Sequence, residues 1–553
     1  MISMREQSGF YVLGKKVGGR REKAQQRKLN QRFEQQIKKL NPEPIPASVE
    51  SAVELLRSGV GGSDDLIVRR FRLGGENGRS AAILFIEGLT DSVVVEDFIL
   101  RAAMAKPLSG SAAGVKTGDA LFEHIRDSVL PVNEAAEGKD SADVVGRLLS
   151  GDTAFVIDGA ARCLLLNTKS YPSRPVEEPR TESVVRGPRD GFTEQLRVNN
   201  GLIRRRLRDP NLRIRTLTVG QRGRTSVSVV YIDDIAPKPI VDEAISRIQK
   251  IDIDTALESG YIEQFIEDNH WTPFPLIQNT ERPDKAVANL LEGRIVIITD
   301  GSPFALIAPA LFTAFYQSPE DYYERFLIST MIRLIRIISM VMALLLPSLY
   351  IAFSSFHPEM IPSRLVIAMA AGRSTVPFPS VVEAFLMEVT MEILREASVR
   401  LPGPIGPTIG IVGALVVGQA AVQAGIVSPI MVIIVALTTI GSFASPSYSA
   451  AIALRMLRFP MMVVAGMFGL YGIMLLILII FVHLCSLKSF GVPYLAPLTP
   501  FRFRDLKDSV IRAPMIFMRR RPLALQPQDP YRMAKQGGMA KHDEERSGTT
   551  KRK

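Results

Sequence analysis

Residues 337–356 read IISMVMALLLPSLYIAFSSF and carry no charged side chain. Residues 401–454 and 459–487 share that character. The hydrocarbon core of a bilayer is about 30 Å thick, and about 20 apolar residues of helix cross it. The first and last runs are each one crossing; the middle run is long enough for two joined by a tight turn. Everything ahead of Arg336 reads as soluble protein. The opening MISMREQSGF is polar and basic with no apolar core, so no signal peptide is expected. The pattern predicts a large intracellular domain hung on a small bundle of membrane helices. Such an architecture suits a receptor, channel or scaffold better than an enzyme.

The 553 residues carry a formal charge of +11, unevenly spread. Residues 1–40 hold 11 Lys/Arg against 3 Glu, and residues 502–553 hold 14 Lys/Arg against 6 Asp/Glu. The stretch between them is net acidic, so the basicity belongs to the tails. No aromatic residues interleave with those cations as in a nucleic-acid recognition fold, which argues against a nucleic-acid partner. Basic tails are attracted instead to an anionic membrane surface. Arg325, Arg333 and Arg336 precede the first apolar run, and Lys488, Arg502, Arg504 and Lys507 follow the last. Lys and Arg beside spans stay cytoplasmic, which puts both ends inside the cell. An even number of crossings follows: spans near 334–356, 405–425, 429–446 and 460–484, with 379–400 lying flat or only partly inserted. One conflict remains, because Arg455 and Arg458 then face outward; a crossing by 379–400 as well would move them inside but end the basic C-terminal tail outside.

The soluble block contains an internal echo. Residues 145–159 read VGRLLSGDTAFVIDG and residues 287–301 read VANLLEGRIVIITDG. In both, Leu-Leu-x-Gly closes a helix, a strand follows, and Asp-Gly turns the chain into a second strand. Upstream, ILFIEGLTDSVVVED (83–97) and VVYIDDIAPKPIVDE (229–243) each give a strand, an acidic turn and a helix start. The expected fold class is therefore α/β, a duplicated cytoplasmic domain of two similar subdomains at about 75–170 and 212–312. To it is added an α-helical transmembrane bundle of about four spans and one interfacial amphipathic helix. The domain limits are a basic extension 1–74, subdomains 75–173 and 212–330 around a polar segment 174–211, a membrane domain 331–487 and a basic tail 488–553. Asp158, Gly159, Asp300, Gly301 and Gly88 are expected to be turn residues.

Residues 174–206 (RPVEEPRTESVVRGPRDGFTEQLRVNNGLIRRR) hold more charge than a linker needs. Arg186, Arg189, Glu194, Arg204, Arg205 and Arg206 serve either an internal salt-bridge network or an interface with other subunits, where guanidinium groups fork onto carboxylates. No phosphate-binding loop, Ser/His/Asp set or HExxH occurs, and the five histidines are scattered. Cys163 and Cys485 have no metal-ligand spacing and form no disulfide framework. No catalytic, cofactor or metal site is expected.

The same stretch carries a resemblance. Glu178-Pro179, Glu182, the run Val185 to Glu194 (VRGPRDGFTE), Asn199 and Leu202 to Arg206 (LIRRR) resemble the signature of the A subunit of GerA-type spore germination receptors. TERPD (280–284), EGR (292–294), EDYYER (320–325), FHPEMIP (356–362), LREASVRLP (394–402), GIVGALVVGQAAV (410–422) and SFGVPYLAPL (489–498) agree with it. The likeness covers about residues 80–520; the two ends lie outside it. It implies a nutrient-sensing protein of the spore inner membrane that works with a transporter-like B subunit and a lipoprotein C subunit. It also implies a homo-oligomeric ring, a pentamer, with an ion-conducting centre. An A-subunit-like paralogue of the dipicolinate-release system shares the same core and stays open as an alternative.

The apolar runs can also be read for a pore. Gly406, Gly410, Ala414 and Gly418 form small-xxx-small spacing, which lets helices approach closely. Gln419 and Gln423 share a helix face; amides in hydrocarbon must be paired or face water, so they serve as interhelical bonds or as pore lining. Glu388, Glu392 and Glu396 recur every four residues on one stripe of 379–400. That stripe marks an interfacial helix or, repeated round a ring, an acidic pore mouth.

Overall fold

The computed structural model describes residues 42–74, 78–105, 118–130, 135–170, 179, 182, 184–400 and 405–533. Most of the two basic tails, at 1–41 and 534–553, and the Glu178 of the signature lie outside the described residues. Contacts divide the chain into two compact units. The first takes residues up to 177 with 192–234 and 297–303; the second takes 178–191, 235–296 and everything from 304.

In the first unit, strands β1 (Leu66–Arg72), β2 (Ser80–Ile86), β3 (Ala135–Gly138), β4 (Thr153–Ile157) and β5 (Cys163–Leu166) form an antiparallel sheet in the order β1-β2-β4-β5-β3. Side chains alternate faces along a strand. Ala82, Leu84, Ala154 and Val156 therefore pack with α1 (Val49–Gly59) and the helix Ser141–Leu148. Ala81, Ile83, Phe155 and Ile157 meet Val95, Ile99, Phe122 and Ile125 on the other side. Those four come from the π-helical turn Val94–Leu100, which runs into α2 (Arg101–Ala105), and from α3 (Gly118–His124) with the turn after it. Helix Ser141–Leu148, hereafter α4, is capped by Asp140, whose carboxylate accepts from the Asp143 amide at 2.8 Å. Helix α5 (Leu196–Arg206) precedes the second repeat.

The second sheet, β6 (Leu212–Val219), β7 (Thr225–Ile232), β8 (Gln278–Thr280), β9 (Ile295–Thr299) and β10 (Ala305–Ala308), has the order β6-β7-β9-β10-β8. This is the first order repeated strand for strand. Both Asp-Gly turns put the glycine in the left-handed region, φ +87° at Gly159 and +84° at Gly301. There a side-chain-bearing residue is strained. The glycines that close the two Leu-Leu-x-Gly helices match as well, with φ +95° at Gly151 and +97° at Gly293. The duplication expected from sequence is present, with one difference. Strand β1 lies ahead of residue 75, in what reads as a polar extension. LIVRRFR carries three arginines because β1 is a sheet edge, where charged side chains block pairing with other chains.

The second unit holds α6 (Lys238–Gln249), α7 (Ser259–Ile266), α8 (Pro283–Leu290), α9 (Glu320–Tyr323) and then the apolar region. The latter comprises α10 (Phe326–Ser355), α11 (Ser363–Arg373), α12 (Ser380–Val399), α13 (Ile405–Gln423), α14 (Pro429–Phe443) and α15 (Tyr448–Ser486). Among the described residues, α10 and α15 are long and apolar enough to cross a membrane, at 30 and 39 residues. The run 412–423 within α13, and α14 itself, are shorter apolar helices. Tyr350, Met387, Met431, Val435, Met461 and Ala465 form the buried centre of the helical region. Helix α15 runs unbroken through Arg455 and Arg458, where the charge pattern suggests a boundary. It breaks instead at Gly469, with φ 61° and ψ −141°. A Cβ at Gly469 would lie 3.0 Å from the Phe356 side chain, so both the backbone angle and the space require glycine.

Helix α7 carries a pH-sensitive group. Burial pushes the Glu263 carboxyl up to about 7, and the neighbouring Glu267 and Glu258 add repulsion. The folded state therefore holds that proton more tightly than the unfolded chain does. The stabilisation is full below the unfolded carboxyl range and is lost as pH rises through about 7. Thermal unfolding of the detergent-solubilised protein should shift to lower temperature from pH 5 to pH 8, and Glu263→Gln should flatten that dependence.

Candidate functional site

The signature stretch enters both units. In the first, Asn199 is buried beneath the turn ahead of α5. It accepts from the Thr193 amide at 2.8 Å and donates to the Thr193 carbonyl at 2.6 Å. Asp300 accepts from the Leu196 amide at 3.1 Å, and the Gly301 amide donates to the Glu194 carbonyl at 2.8 Å. Asp300 is thus a helix-start and turn residue. Arg204 is fully buried: its Nε and Nη2 donate to the Asp65 carboxylate at 2.8 and 3.0 Å, and Nη2 reaches Ser63 Oγ at 3.0 Å. Of the six candidates in this stretch, Arg204 is buried and bonded inside its own unit. Glu194 and Arg205 are exposed, and Arg206 is half-buried, with Nη1 donating to the Leu202 carbonyl at 3.4 Å.

In the second unit, three separated motifs meet. Arg282 of TERPD is fully buried and donates to the carbonyls of Glu182 at 3.1 Å and Pro188 at 2.9 Å, while pairing with Asp284. Asp284 also accepts from the Tyr323 hydroxyl of EDYYER at 2.5 Å. Glu182 accepts from Thr280 Oγ1 at 2.5 Å and pairs with Lys285. Glu320 accepts from the Val185 amide at 2.5 Å, and Arg186, mostly exposed, lies 3.5 Å from Glu324. Arg189 is exposed. Arg282 stands at the N-cap of α8, ahead of Pro283, and nothing in its local sequence marks it as buried. Beside this network opens a cavity of about 430 Å³ whose lining includes Lys285, Glu292, Arg294, Tyr322, Arg521 and Arg532.

At the start of α10, Arg333 is fully buried and bonds Asp321 at 3.2 Å, the Asp508 carboxylate at 3.2 Å and the Ser509 carbonyl at 3.0 Å. Arg336 reaches Asp321 at 2.8 Å. Burial pushes the Asp508 carboxyl above its usual range, against the pull of Arg333, and Tyr322 donates to it at 2.7 Å. Arg333 thus ties the segment that follows α15 to the start of α10, while Arg336 holds α10 to Asp321 of α9.

The acidic stripe of α12 is largely paired inside the chain. Glu388 is fully buried against Arg458. Glu392 lies 3.1 Å from Arg455 and 3.6 Å from Arg395. Glu396 is exposed beside Arg400. Arg455 and Arg458, whose charges interrupt the apolar pattern, face carboxylates of α12 and are balanced within the chain. A fourth acid of α12, Glu383, is fully buried, accepts from the Ser428 amide at 2.6 Å at the start of α14, and lies 3.7 Å from Arg373.

The small residues of α13 work within the chain. A Cβ on Gly410 would meet Ser398 of α12 at 3.4 Å, and one on Gly418 would meet Val432 of α14 at 3.3 Å. Ala414 is half-buried, and the surroundings of Gly406 lie outside the described residues. The opposite side of α13 leaves Val412, Leu415, Val416, Gln419 and Gln423 exposed.

Residues 54–524 match the family described as Bacillus/Clostridium GerA spore germination protein. Spore germination protein KA of Bacillus subtilis (strain 168) is 43% identical over 500 residues, 90% of this chain and 91% of that protein. Spore germination protein GerLA of Bacillus cereus is 42% identical over 474 residues, 86% of this chain and 95% of that one. The crystal structure of the N-terminal domain of the A subunit of the Bacillus megaterium spore germinant receptor GerK3 is 33% identical, covering 49% of this chain and 98% of that one at a TM-score of 0.38. By the extent and level of these matches, the chain belongs to the GerA family, non-enzymatic membrane proteins of spore germination, as a germinant-receptor A subunit whose family works in complexes with B and C subunits.

Proposed function

We propose that this A subunit assembles as a ring, a pentamer, in the spore inner membrane and conducts cations when a nutrient acts on the receptor. Helices α10, α13, α14 and α15 make the four crossings, with both termini cytoplasmic and α12 packed among them. The observation that carries the reading is the uncovered pair Gln419 and Gln423 on a helix that is otherwise apolar beyond Thr408. An unpaired amide facing lipid costs several kcal/mol. Around a ring axis the same amides face water and ions. Exposed Arg186, Arg189, Glu194 and Arg205 would then meet neighbouring subunits. Gating follows from partner subunits that bind the open arrangement more tightly than the closed one.

A second reading, a non-conducting scaffold for transporter-like partners, is favoured by the internal pairing of Glu388 and Glu392, which leaves only Glu396 of the stripe exposed. The two separate in liposomes. The purified protein should form a ring and pass monovalent cations, and Gln419→Leu with Gln423→Leu should abolish most of that flux while assembly persists. A monomeric particle without conductance, or flux unchanged in the double variant, rejects the pore.

A further inference from the structure

Trp271 is the one tryptophan in the chain and stands 96% exposed. Its segment is tied to the end of α15 at three points. Thr272 Oγ1 lies 3.0 Å from His483 Nε2, three residues before the helix ends. The Phe490 amide donates to Asp268 at 2.6 Å, and Ser489 Oγ donates to the Leu276 carbonyl at 2.7 Å. Phe274 packs with Leu484 and Leu487 in the same cluster. Residues 268–276 therefore sit at the C-terminal end of α15, an apolar helix long enough to span a bilayer.

The neighbouring α7 is uncovered in the same manner. Tyr261 and Phe265, one helical turn apart and so on one face, are 44% and 50% exposed, and Leu257 just ahead of the helix is 66% exposed. Tryptophan and tyrosine concentrate at membrane–water interfaces, where an apolar ring enters the headgroup layer and its polar edge stays wet. Glu258 and Glu267 flank these rings and Asp268 is paired with Arg247 at 2.7 Å, so no excess of positive charge draws the contact to anionic headgroups.

We propose that the Trp271 loop is a second membrane contact, an interfacial foot by which the second α/β repeat rests on the lipid headgroup layer beside α15. The contact couples the soluble repeat to the bilayer at a point separate from the covalent entry into α10. It rests on α15 crossing the membrane.

Two native probes test it. The full-length protein is reconstituted in phosphatidylcholine vesicles containing lipids brominated either near the headgroup or deep in the acyl chain. Trp271 emission should be blue-shifted, quenched most by the shallow bromines and protected from iodide, and adding phosphatidylglycerol should change none of this. A Trp271→Phe variant fixes the background. A nitroxide on the exposed Cys485 (Cys163 is buried) reports separately where α15 ends. Cys485 at the bilayer edge with Trp271 quenched by iodide overturns the foot and leaves the span intact. Both probes in water overturn the span and the foot together. Protection of Trp271 only after partner subunits are added assigns the surface to protein and likewise overturns it.

Discussion

Arg458→Ala is expected to remove most folded protein from the membrane. Arg458 and Glu388 are each 1% exposed and face one another between α15 and α12, so Arg458→Ala leaves a buried carboxylate without its ion-pair partner. Breaking a buried pair costs about 3–5 kcal/mol, a large part of the roughly 5–15 kcal/mol that holds an ordinary fold. The pair is incompletely satisfied: Glu388 Oε1 and Arg458 Nε and Nη2 have no hydrogen-bond partner. The double variant Glu388→Leu with Arg458→Met should therefore recover yield and thermal stability in detergent, as apolar replacement of a buried ion pair often does. Normal yield and unfolding temperature in Arg458→Ala alone would show that the pair contributes nothing to the fold. If the double variant folds but no longer gates, the pair sets the conformational equilibrium instead.

The second large effect falls on Arg204. Its guanidinium forks onto Asp65, 4% exposed, and also reaches Ser63, joining α5 to the loop ahead of β1 within the first unit. Arg204→Ala strands Asp65 and should cost about 3–5 kcal/mol. Arg204→Lys keeps the charge but loses the fork, at roughly 1–3 kcal/mol for hydrogen bonds left unmade. Urea unfolding of the full chain, followed by circular dichroism, should rank wild type above Lys above Ala. Asp65→Asn should shrink the difference between Arg204 and its alanine variant, since the coupling lies between these two side chains. Equal midpoints for all variants would mean that the signature arginine is held for some purpose other than stability.

These two arginines show where sequence reasoning stopped. The Arg204–Arg206 run is visible as excess charge, but which of the three turns inward depends on the helix face that α5 presents to the sheet. Arg204 falls on that face and Arg205 on the solvent side. Asp65 was hidden in a segment that reads as a polar extension, because edge strand β1 carries arginines. Glu388 and Glu392 read as a stripe on one helix, and Arg455 and Arg458 as a topological conflict. Each observation is half of a pair whose members lie some 60 to 70 residues apart, about 63 for Glu392–Arg455 and 70 for Glu388–Arg458. Ion pairing between distant residues leaves no periodicity in either partner's local sequence.

The sequence by itself determined the elements whose causes are local. Uncharged runs mark the apolar helices, because a segment that meets lipid must satisfy its backbone groups within the helix. The repeated Leu-Leu-x-Gly and Asp-Gly marks fix two equivalent hairpins because only glycine takes those left-handed angles at no cost. Tertiary structure alone decided which charges are internal. It brought Arg282 under the signature carbonyls, Arg333 onto Asp321 and Asp508, and Glu383 onto the start of α14. Burying a charge is unfavourable unless a partner is brought to it, and only the folded chain supplies that partner.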